Sequence, residues 1–271
     1  MAVYAEPVPP ITIIPILFDI VPGLPVAEVV IQGRAYLLAV NTGMADHLSL
    51  KPAALERLRC VELDSYTTIY DVDGARTRAA QYVVDDVDIA GLRLNRVIVS
   101  QELRSLFPQA IDGSIGRSLL SGFRVVLDYP SSRVELHMQG SSVATLAQGE
   151  WASVPFVLDH RGIILEGGFE GSSGSATLCL DTGCAIPAGG TYHGTIRSGA
   201  GLSTISNAAD ESSDSYRIVA GVYEVGSTSL GELSFVVNDY RTPFDGIIGT
   251  NYLAQRQVVL DFGRRIMHVR R

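Results

Sequence analysis

The stretch from Leu178 to Gly183, Leu-Cys-Leu-Asp-Thr-Gly, decides the fold of this chain. It is a short apolar segment that ends in a carboxylate, a hydroxyl and a glycine. A similar segment, Leu38 to Gly43, lies 140 residues earlier, with Asn41 in the place of the Asp. An apolar strand that ends in this way brings one polar side chain to a fixed place, and the glycine lets the chain turn where a side chain would clash. One such tripeptide is weak evidence, so the prediction depends on its repetition.

Further blocks repeat in the same order along the chain. One block repeats at the same spacing of 140 residues, and the later blocks repeat at a spacing of 133 after a shared deletion of seven residues. We therefore predict one unit of about 130 residues written twice, with domains at 1–140 and 151–271 and a linker at 141–150. The repeated pairs are Ile14 to Asp19 with Val154 to Asp159, Asp112 to Gly116 with Asp245 to Gly249, Leu120 with Leu253, and Val125 to Tyr129 with Val258 to Phe262.

Taken together, these blocks resemble the half of a retropepsin-type aspartic peptidase in its bacterial form, and two halves in one chain resemble pepsin. The resemblance extends from about Ile11 to the C-terminus. It implies an all-β, bilobal acid-protease fold of the pepsin/retropepsin type, in which two tandem β-barrel-like lobes enclose a cleft. It also implies a peptide or protein substrate in that cleft and no cofactor.

The resemblance assigns roles to matching residues. In the family each half supplies one catalytic Asp; here Asp181 takes the second position and Asn41 the first. Thr42 and Thr182 would lock the two turns together, and Gly43 and Gly183 would permit them. The flap that closes on a peptide would include Tyr70, Asp73 and Gly74, because Asp73-Gly74 is a strong hairpin signal. The polar stretch from Ser203 to Ser215 in the second half is either a surface loop or a second flap.

Asn41 changes the chemistry that the resemblance implies. Two carboxylates around one water share a proton, so that one acts as base and the other as acid. Asn has the shape of a protonated Asp and donates hydrogen bonds, but it does not exchange a proton. Asp46 and His47 follow closely, yet we expect them to lie beyond the turn. Other departures from the family are Met44 and Cys184 after the glycines, and Ser114 at an apolar position.

Three functions remain open on this basis. The first is an aspartic-type endopeptidase whose activity is weakened or absent because of Asn41. The second is a catalytically silent relative that binds peptide as an added strand. The third is an engineered, inactive Asp-to-Asn form of an active peptidase.

Composition narrows the choice of partners. The chain has 271 residues, 46% apolar and 18% charged, which is typical of globular proteins. The net charge of −8 and the scattered basic residues argue against a nucleic-acid partner. No apolar run approaches the length of about 18 residues needed to span a membrane. Arginines gather only at the C-terminus, where we expect a solvated tail; they are Arg264, Arg265, Arg270 and Arg271.

The remaining expectations concern metals, redox state, assembly and compartment. The five histidines and three cysteines have no metal-ligand spacing, so we predict no metal site and three free thiols at Cys60, Cys179 and Cys184. Two halves in one chain remove the need for a dimer, so we expect a monomer. The segment from Met1 to Pro7 lacks the pattern of a signal peptide. The sequence therefore fits a cytoplasmic protein, or a periplasmic one whose leader has been removed.

Local patterns predict short strands with few helices. Pro15 places the strand at Ile11 to Phe18 on a sheet edge. The other predicted strands are Val26 to Val30, Ala35 to Val40, Thr67 to Val72, Arg76 to Val84, Arg93 to Val99 and Arg124 to Tyr129. The predicted helices are Pro52 to Leu58, Leu103 to Phe107, Arg117 to Gly122 and Thr250 to Gln255.

Overall fold

The computed structural model describes residues 3–4, 9–70, 76–102, 107–184, 193–197, 204–209, 215–238 and 243–271. The strands up to the predicted linker are β1 (Val3–Tyr4), β2 (Ile11–Pro15), β3 (Val26–Ile31), β4 (Arg34–Asn41), β5 (Leu48–Leu50), β6 (Cys60–Tyr70), β7 (Arg76–Val84), β8 (Val87–Ile89), β9 (Leu92–Asn95), β10 (Val97–Gln101), β11 (Gly113–Gly116), β12 (Phe123–Asp128) and β13 (Arg133–Met138). The later strands are β14 (Trp151–Pro155), β15 (Val157–Asp159), β16 (Gly162–Phe169), β17 (Ser175–Leu180), β18 (Gly194–Arg197), β19 (Thr204–Ala209), β20 (Ser215–Val225), β21 (Thr228–Asn238), β22 (Gly246–Ile248), β23 (Gln257–Asp261) and β24 (Ile266–Arg270).

Helices are short in the described part of the chain. They are α1 (Pro52–Leu55), α2 (Arg117–Leu120), α3 (Thr250–Leu253) and a 3-10 turn at Ala144–Ala147. Each α-helix begins at the residue that the sequence predicted and ends earlier. Of the helix predicted at Leu103 to Phe107, residues 103–106 lie outside the described residues. In the described residues no helix is long and apolar enough to cross a membrane.

The described strands form three sheets. A ten-stranded sheet has the order β1-β9-β8-β3-β4-β11-β5-β10-β7-β6, and an eight-stranded sheet has the order β15-β16-β17-β22-β18-β21-β20-β19. We call them the first and the second lobe. A six-stranded sheet, β14-β24-β23-β12-β13-β2, takes three strands from before the predicted linker and three from after it. The chain is therefore all-β, as predicted, and its two halves share a sheet. The domain boundaries stay a prediction.

Several predicted elements were wrong in detail. The strand predicted at Thr67 to Val72 begins at Cys60, and the strand predicted at Ile11 to Phe18 ends at Pro15. The strand predicted at Arg93 to Val99 is two strands, β9 and β10, because Arg96 between them has a left-handed backbone with φ of 53°. The Arg96 N–H donates to Asp85 Oδ1 at 2.7 Å, which holds this break. For the polar stretch at Ser203 to Ser215, the loop alternative is wrong at residues 204–209, which form strand β19, and the flap alternative stays a prediction. Backbone pairing with β20 at the edge of the sheet needs no apolar alternation.

The strand at the N-terminus follows the prediction made from its proline. β2 ends at Pro15 and is the last strand of the six-stranded sheet, where a missing N–H leaves no ladder partner unpaired. Its alternating burial turns Ile14 into the core and leaves Ile13 about half exposed, at 52%. The proline therefore predicted the place of this strand correctly.

Both lobes contain the same insertion of one strand between two others. β4 and β5 are consecutive in the chain, yet β11 lies between them, parallel to β4 and antiparallel to β5. In the second lobe β22 lies in the same way between β17 and β18. The inserted strand leaves no room for a side chain at its start, because a Cβ on Gly113 would lie 1.9 Å from the Ser49 carbonyl oxygen. This close approach explains why the Asp-Gly-x-x-Gly blocks need glycine.

The six-stranded sheet packs one face into the main hydrophobic core. Val125, Leu127 and Leu260 from this face join Val40 and Leu180 in one buried cluster. The other face is covered by the predicted linker, from which Val143 packs on Val126 and Val259. Alternation along β12 and β23 therefore separates an inner face from an outer face.

A buried ion pair stands on the outer face. Arg124 Nη2 lies 2.6 Å from Asp261 Oδ2, with side chains 9% and 2% exposed. The residue that corresponds to Arg124 in the second copy is Gln257, which donates to Asp128 at 3.0 Å. Asp261 at one end of the sheet is thus bound by a guanidinium, and Asp128 at the other end is bound by an amide from the equivalent position.

We expect Arg124→Gln to lower the free energy of unfolding by about 3–5 kcal/mol, because it removes the close, buried partner of Asp261 and leaves only the exposed Arg264, 4.0 Å away. The double variant Arg124→Gln with Asp261→Asn should recover most of that loss. Urea unfolding measures both, with the exposed Arg57→Gln as the control. A double variant as unstable as the single one would contradict the explanation.

Candidate active site

Two strands bring the candidate site residues to the boundary between the lobes. β4 ends at Asn41, and β17 ends at Leu180, one residue before Asp181. Each strand is held at its end by the inserted strand beside it, in the registers Asn41 with Gly116 and Leu180 with Ile248. The two loops that follow therefore start from equivalent places in the two lobes.

The threonines of the two loops hold each other. Thr42 Oγ1 donates to the Leu180 carbonyl at 2.9 Å and accepts from the Thr182 N–H at 3.0 Å. Thr182 Oγ1 donates to the Val40 carbonyl at 2.6 Å and accepts from the Thr42 N–H at 2.9 Å. Both side chains are fully buried. The structure thus places these two predicted residues in one reciprocal network of four hydrogen bonds that joins the lobes.

Asn41 and Asp181 meet across this network. A Cβ on Gly43 would lie 2.5 Å from Asp181 Oδ2, and a Cβ on Gly183 would lie 2.5 Å from Asn41 Cγ. Each polar side chain therefore rests on the glycine of the opposite loop. Any larger residue at either glycine would displace the group above it, which explains why both loops have glycine at this point.

Backbone N–H groups orient the two side chains in the same way. Asn41 Oδ1 accepts from the N–H of Gly43 at 2.8 Å and of Met44 at 3.2 Å. Asp181 Oδ1 accepts from the N–H of Gly183 at 2.8 Å. Only the oxygen of an amide can accept these bonds, so Nδ2 of Asn41 is the end that is free to donate. Asn41 is buried and Asp181 is partly exposed.

The surroundings of Asp181 act on its ionisation in opposite directions. Burial raises the pKa of Asp181, whereas hydrogen bonds from the N–H groups of Gly183 and Gly43 and the charge of Arg117 work against this rise. The net direction is upward, so burial is the largest effect. Asp181 therefore keeps its proton to a higher pH than an exposed carboxyl would.

Arg117 is the site residue that the sequence analysis missed. Its side chain is buried, and Nη1 donates to the Gly43 carbonyl at 2.8 Å. Nη2 donates to the carbonyls of His160 at 2.9 Å and Asp159 at 3.3 Å, in the other half of the chain. Burial lowers the pKa of Arg117, and nearby acidic groups, Asp181 among them, oppose this. The signal in the sequence is an asymmetry, because the second copy has Thr250 after its Gly249.

The Asp-Gly blocks position the strands rather than the chemistry. Asp112 Oδ2 accepts from the Leu37 N–H at 2.9 Å, and Asp245 Oδ2 accepts from the Thr177 N–H at 2.8 Å. Ser114, which departs from the apolar pattern, is buried and shares a hydrogen bond of 2.7 Å with Ser49. The pairing of two hydroxyls explains how a polar residue is tolerated there.

Other residues near the loops have separate partners. Asp46 Oδ1 accepts from Gln81 at 3.1 Å, and Nδ1 of His47 accepts from the Ile98 N–H at 3.2 Å. All three cysteines are free, as predicted. Burial, with the charge of Asp181, raises the pKa of the Cys184 thiol to about 12, so this neighbour of the site is not a reactive thiolate.

The structure describes only part of the predicted flap. Tyr70 ends β6 and pairs with Arg76 at the start of β7, so a long hairpin stands where the flap was predicted. Asp73 and Gly74 lie outside the described residues. Among the described residues no group of three or more His, Cys, Asp or Glu side chains could hold a metal ion.

Solved structures resemble the whole chain. The aspartic proteinase from Irpex lacteus matches with a TM-score of 0.65 and 14% identity, over 96% of this chain and 97% of that one. The basic 7S globulin from soybean matches with a TM-score of 0.60 and 12% identity, over 97% and 95%. The fold is the two-lobe, pepsin-like fold. No family model and no curated protein matches the sequence. The retropepsin-type character of each half, the duplication and the bacterial type stay predictions.

We expect Thr42→Val to destabilise the protein, because it leaves the Leu180 carbonyl and the Thr182 N–H buried without partners. Each such group costs about 1–3 kcal/mol. Thr42→Ser keeps the hydroxyl and is the matched control. Chemical denaturation of the three proteins measures the difference, and equal losses for Val and Ser would show that the hydroxyl contributes nothing.

We expect Arg117→Met to raise the pKa of Asp181 further, because a nearby positive charge favours the carboxylate. Arg117→Lys keeps the charge and should raise it less. Titration of the labelled Asp181 carboxyl by NMR measures the shift, with Arg57→Met as the control. The electrostatic role is wrong if folded Arg117→Met leaves the titration unchanged.

Proposed function

We propose that this chain is an aspartic-peptidase-like protein that binds an extended peptide in the cleft between its lobes. Because of Asn41, it has only one of the two carboxyl groups of a catalytic pair. The observation that carries the proposal is the facing arrangement of Asn41 and Asp181, each resting on the glycine of the opposite loop. The pepsin-like fold supports an aspartic-protease-like scaffold for this chain. The similar structure from Irpex lacteus is that of an aspartic proteinase, which supports peptide-bond hydrolysis as the reaction.

The roles follow from what each side chain can donate and accept. Ionised Asp181 takes a proton from a water whose oxygen attacks the scissile carbonyl carbon. An N–H of Asn41 Nδ2 donates a hydrogen bond to the oxygen of the scissile carbonyl. Asp181 then returns its proton to the leaving nitrogen as the C–N bond breaks. Asn41 cannot protonate the carbonyl oxygen, so the pair lacks the acid of a true dyad.

The missing acid has a predictable cost. General acid–base catalysis by a positioned group contributes about 100- to 10,000-fold. A natural chain with this site would be a weak peptidase or a silent peptide binder. The second function is favoured by one observation: the Asn41 oxygen accepts from two backbone N–H groups, so the amide is held with its Nδ2 left to donate to a bound peptide. An engineered Asp-to-Asn form would have the same geometry.

We expect Asn41→Asp to gain peptidase activity toward an unfolded protein substrate at about pH 3–6, because two close carboxylates share one proton in that range. The gain should be about 100-fold or more. Inhibition by pepstatin and loss of activity in Asn41→Asp with Asp181→Asn are the controls. A folded Asn41→Asp variant without activity would favour the silent binding module.

The pH profile separates the two forms of the site. The pKa of Asp181 is raised by burial, so the base form is fully present only above that raised value. Residual activity of the unaltered chain should therefore rise with pH through this pKa and then level off. Asn41→Asp should give a bell-shaped profile, because it needs one protonated and one ionised carboxyl. A bell shape in the unaltered chain would mean that another acid takes part.

A further inference from the structure

A large open cavity lies at one end of the six-stranded sheet. Its volume is about 1000 Å³, and its walls come from both halves of the chain. Asp128 and Gln257 line it, and they share the outer face with Val126 and Val259 because they are two residues away along their strands. Asn41 and Asp181 follow strands that pack on the inner face. The described residues that line the cavity include none of the candidate active-site residues.

The cavity is lined by a cluster of arginines in an otherwise acidic protein. We call Arg256, Arg270 and Arg271 the arginine cluster; Arg133 lines the cavity beside them. Arg133 is paired with Asp128 at 3.2 Å. Among the described residues no carboxylate lies within ion-pair distance of the arginine cluster. Three positive charges therefore face one cavity in a chain whose net charge is −8.

The arginine cluster is held in place by neutral contacts. The guanidinium of Arg256 lies 4.3 Å from the centre of the Tyr252 ring, and its Nη1 donates to the Tyr252 carbonyl at 2.9 Å. Arg270 Nη1 donates to Gln257 Oε1 at 3.4 Å, and Gln257 in turn donates to Asp128. These contacts orient guanidinium groups without neutralising them. They leave donors for an incoming anion.

The C-terminus is thus not the solvated tail that the sequence led us to expect. Ile266–Arg270 is strand β24, paired on both sides in the six-stranded sheet, and the Arg271 N–H donates to the Glu150 carbonyl at 3.0 Å. The last two arginines are therefore fixed beside the cavity by the sheet.

The remaining walls indicate the kind of anion. Pro130 is an exposed apolar residue of the lining, whereas Leu230 and Val269 are buried in the main core beneath it. The buried Thr145 hydroxyl, which also lines the cavity, has no hydrogen-bond partner in the structure. No aromatic ring stands among the described lining residues, so there is no platform for a nucleobase. A chain that carries several carboxylates matches the three guanidinium groups, and the volume is large enough for several residues of a peptide.

We propose that this cavity binds an acidic peptide segment of a partner protein, with its carboxylates on Arg256, Arg270 and Arg271. The proposal does not depend on the function of the Asn41–Asp181 site. It concerns a different part of the molecule, and its ligand is recognised by its carboxylates.

The test is direct binding of a fluorescent peptide of about eight alternating Glu and Leu residues to the full chain, measured by anisotropy. A peptide with Gln for every Glu is the matched ligand control. We expect the acidic peptide to bind, the Gln peptide to bind at least about ten-fold more weakly, and added salt to weaken the acidic peptide because the charges are exposed.

Variants locate the binding. Arg270→Ala with Arg271→Ala, and separately Arg256→Ala, should weaken binding about ten-fold or more, while the exposed Arg57→Ala on the first lobe should not. Thermal melting verifies that each variant is folded, and pepstatin should not compete if binding is outside the cleft. The proposal is wrong if the acidic peptide does not bind, if Gln and Glu peptides bind equally, or if Arg57→Ala has the same effect as the cluster variants. Binding of inorganic phosphate at these arginines without binding of the peptide would also overturn it.

Discussion

The reciprocal hydrogen bonds between Thr42 and Thr182 are the constraint on which the rest of the site depends. Each hydroxyl donates to a carbonyl at the end of the opposite strand and accepts from the opposite threonine. A buried hydroxyl with both functions satisfied permits only a narrow range of positions for its two loops. Asn41 and Asp181 directly precede these threonines, so their meeting is a consequence of the same bonds. Loosening either loop would separate the two polar groups.

Charge balance in this buried region is asymmetric between the lobes. With Asn41 in the first loop, the candidate site contains one carboxyl, Asp181, and one buried guanidinium, Arg117. A second carboxylate would place two like charges within the same small volume, and one of them would keep its proton. The guanidinium also ties the first loop to the carbonyls after β15. Arg117 thus combines a structural role with an electrostatic one.

The six-stranded sheet gives the molecule two unlike faces. Its inner face joins the main core under the candidate active site, and its outer face carries the Arg124–Asp261 pair. The arginine-lined cavity lies at the opposite end of the sheet from this pair. The two ends differ because Arg124 corresponds to Gln257. Because Gln257 is a neutral amide, Asp128 forms its ion pair with Arg133 instead. The positive charge at the cavity comes from the arginine cluster itself, since the neutral Gln257 adds none.

The sequence alone determined the all-β class, the repeated blocks, the edge position of the strand that ends at Pro15, and the two loops with Asn41 and Asp181. These are local properties, since alternation, turn residues and proline act within a few neighbours along the chain. Arg117, the Ser49–Ser114 pair and the cavity were decided only by the tertiary structure. Each depends on residues that are distant in sequence and become neighbours when one strand inserts between two others or when both halves share a sheet. The break at Arg96 and strand β19 belong to the same group, because pairing partners override the local pattern of the residues themselves.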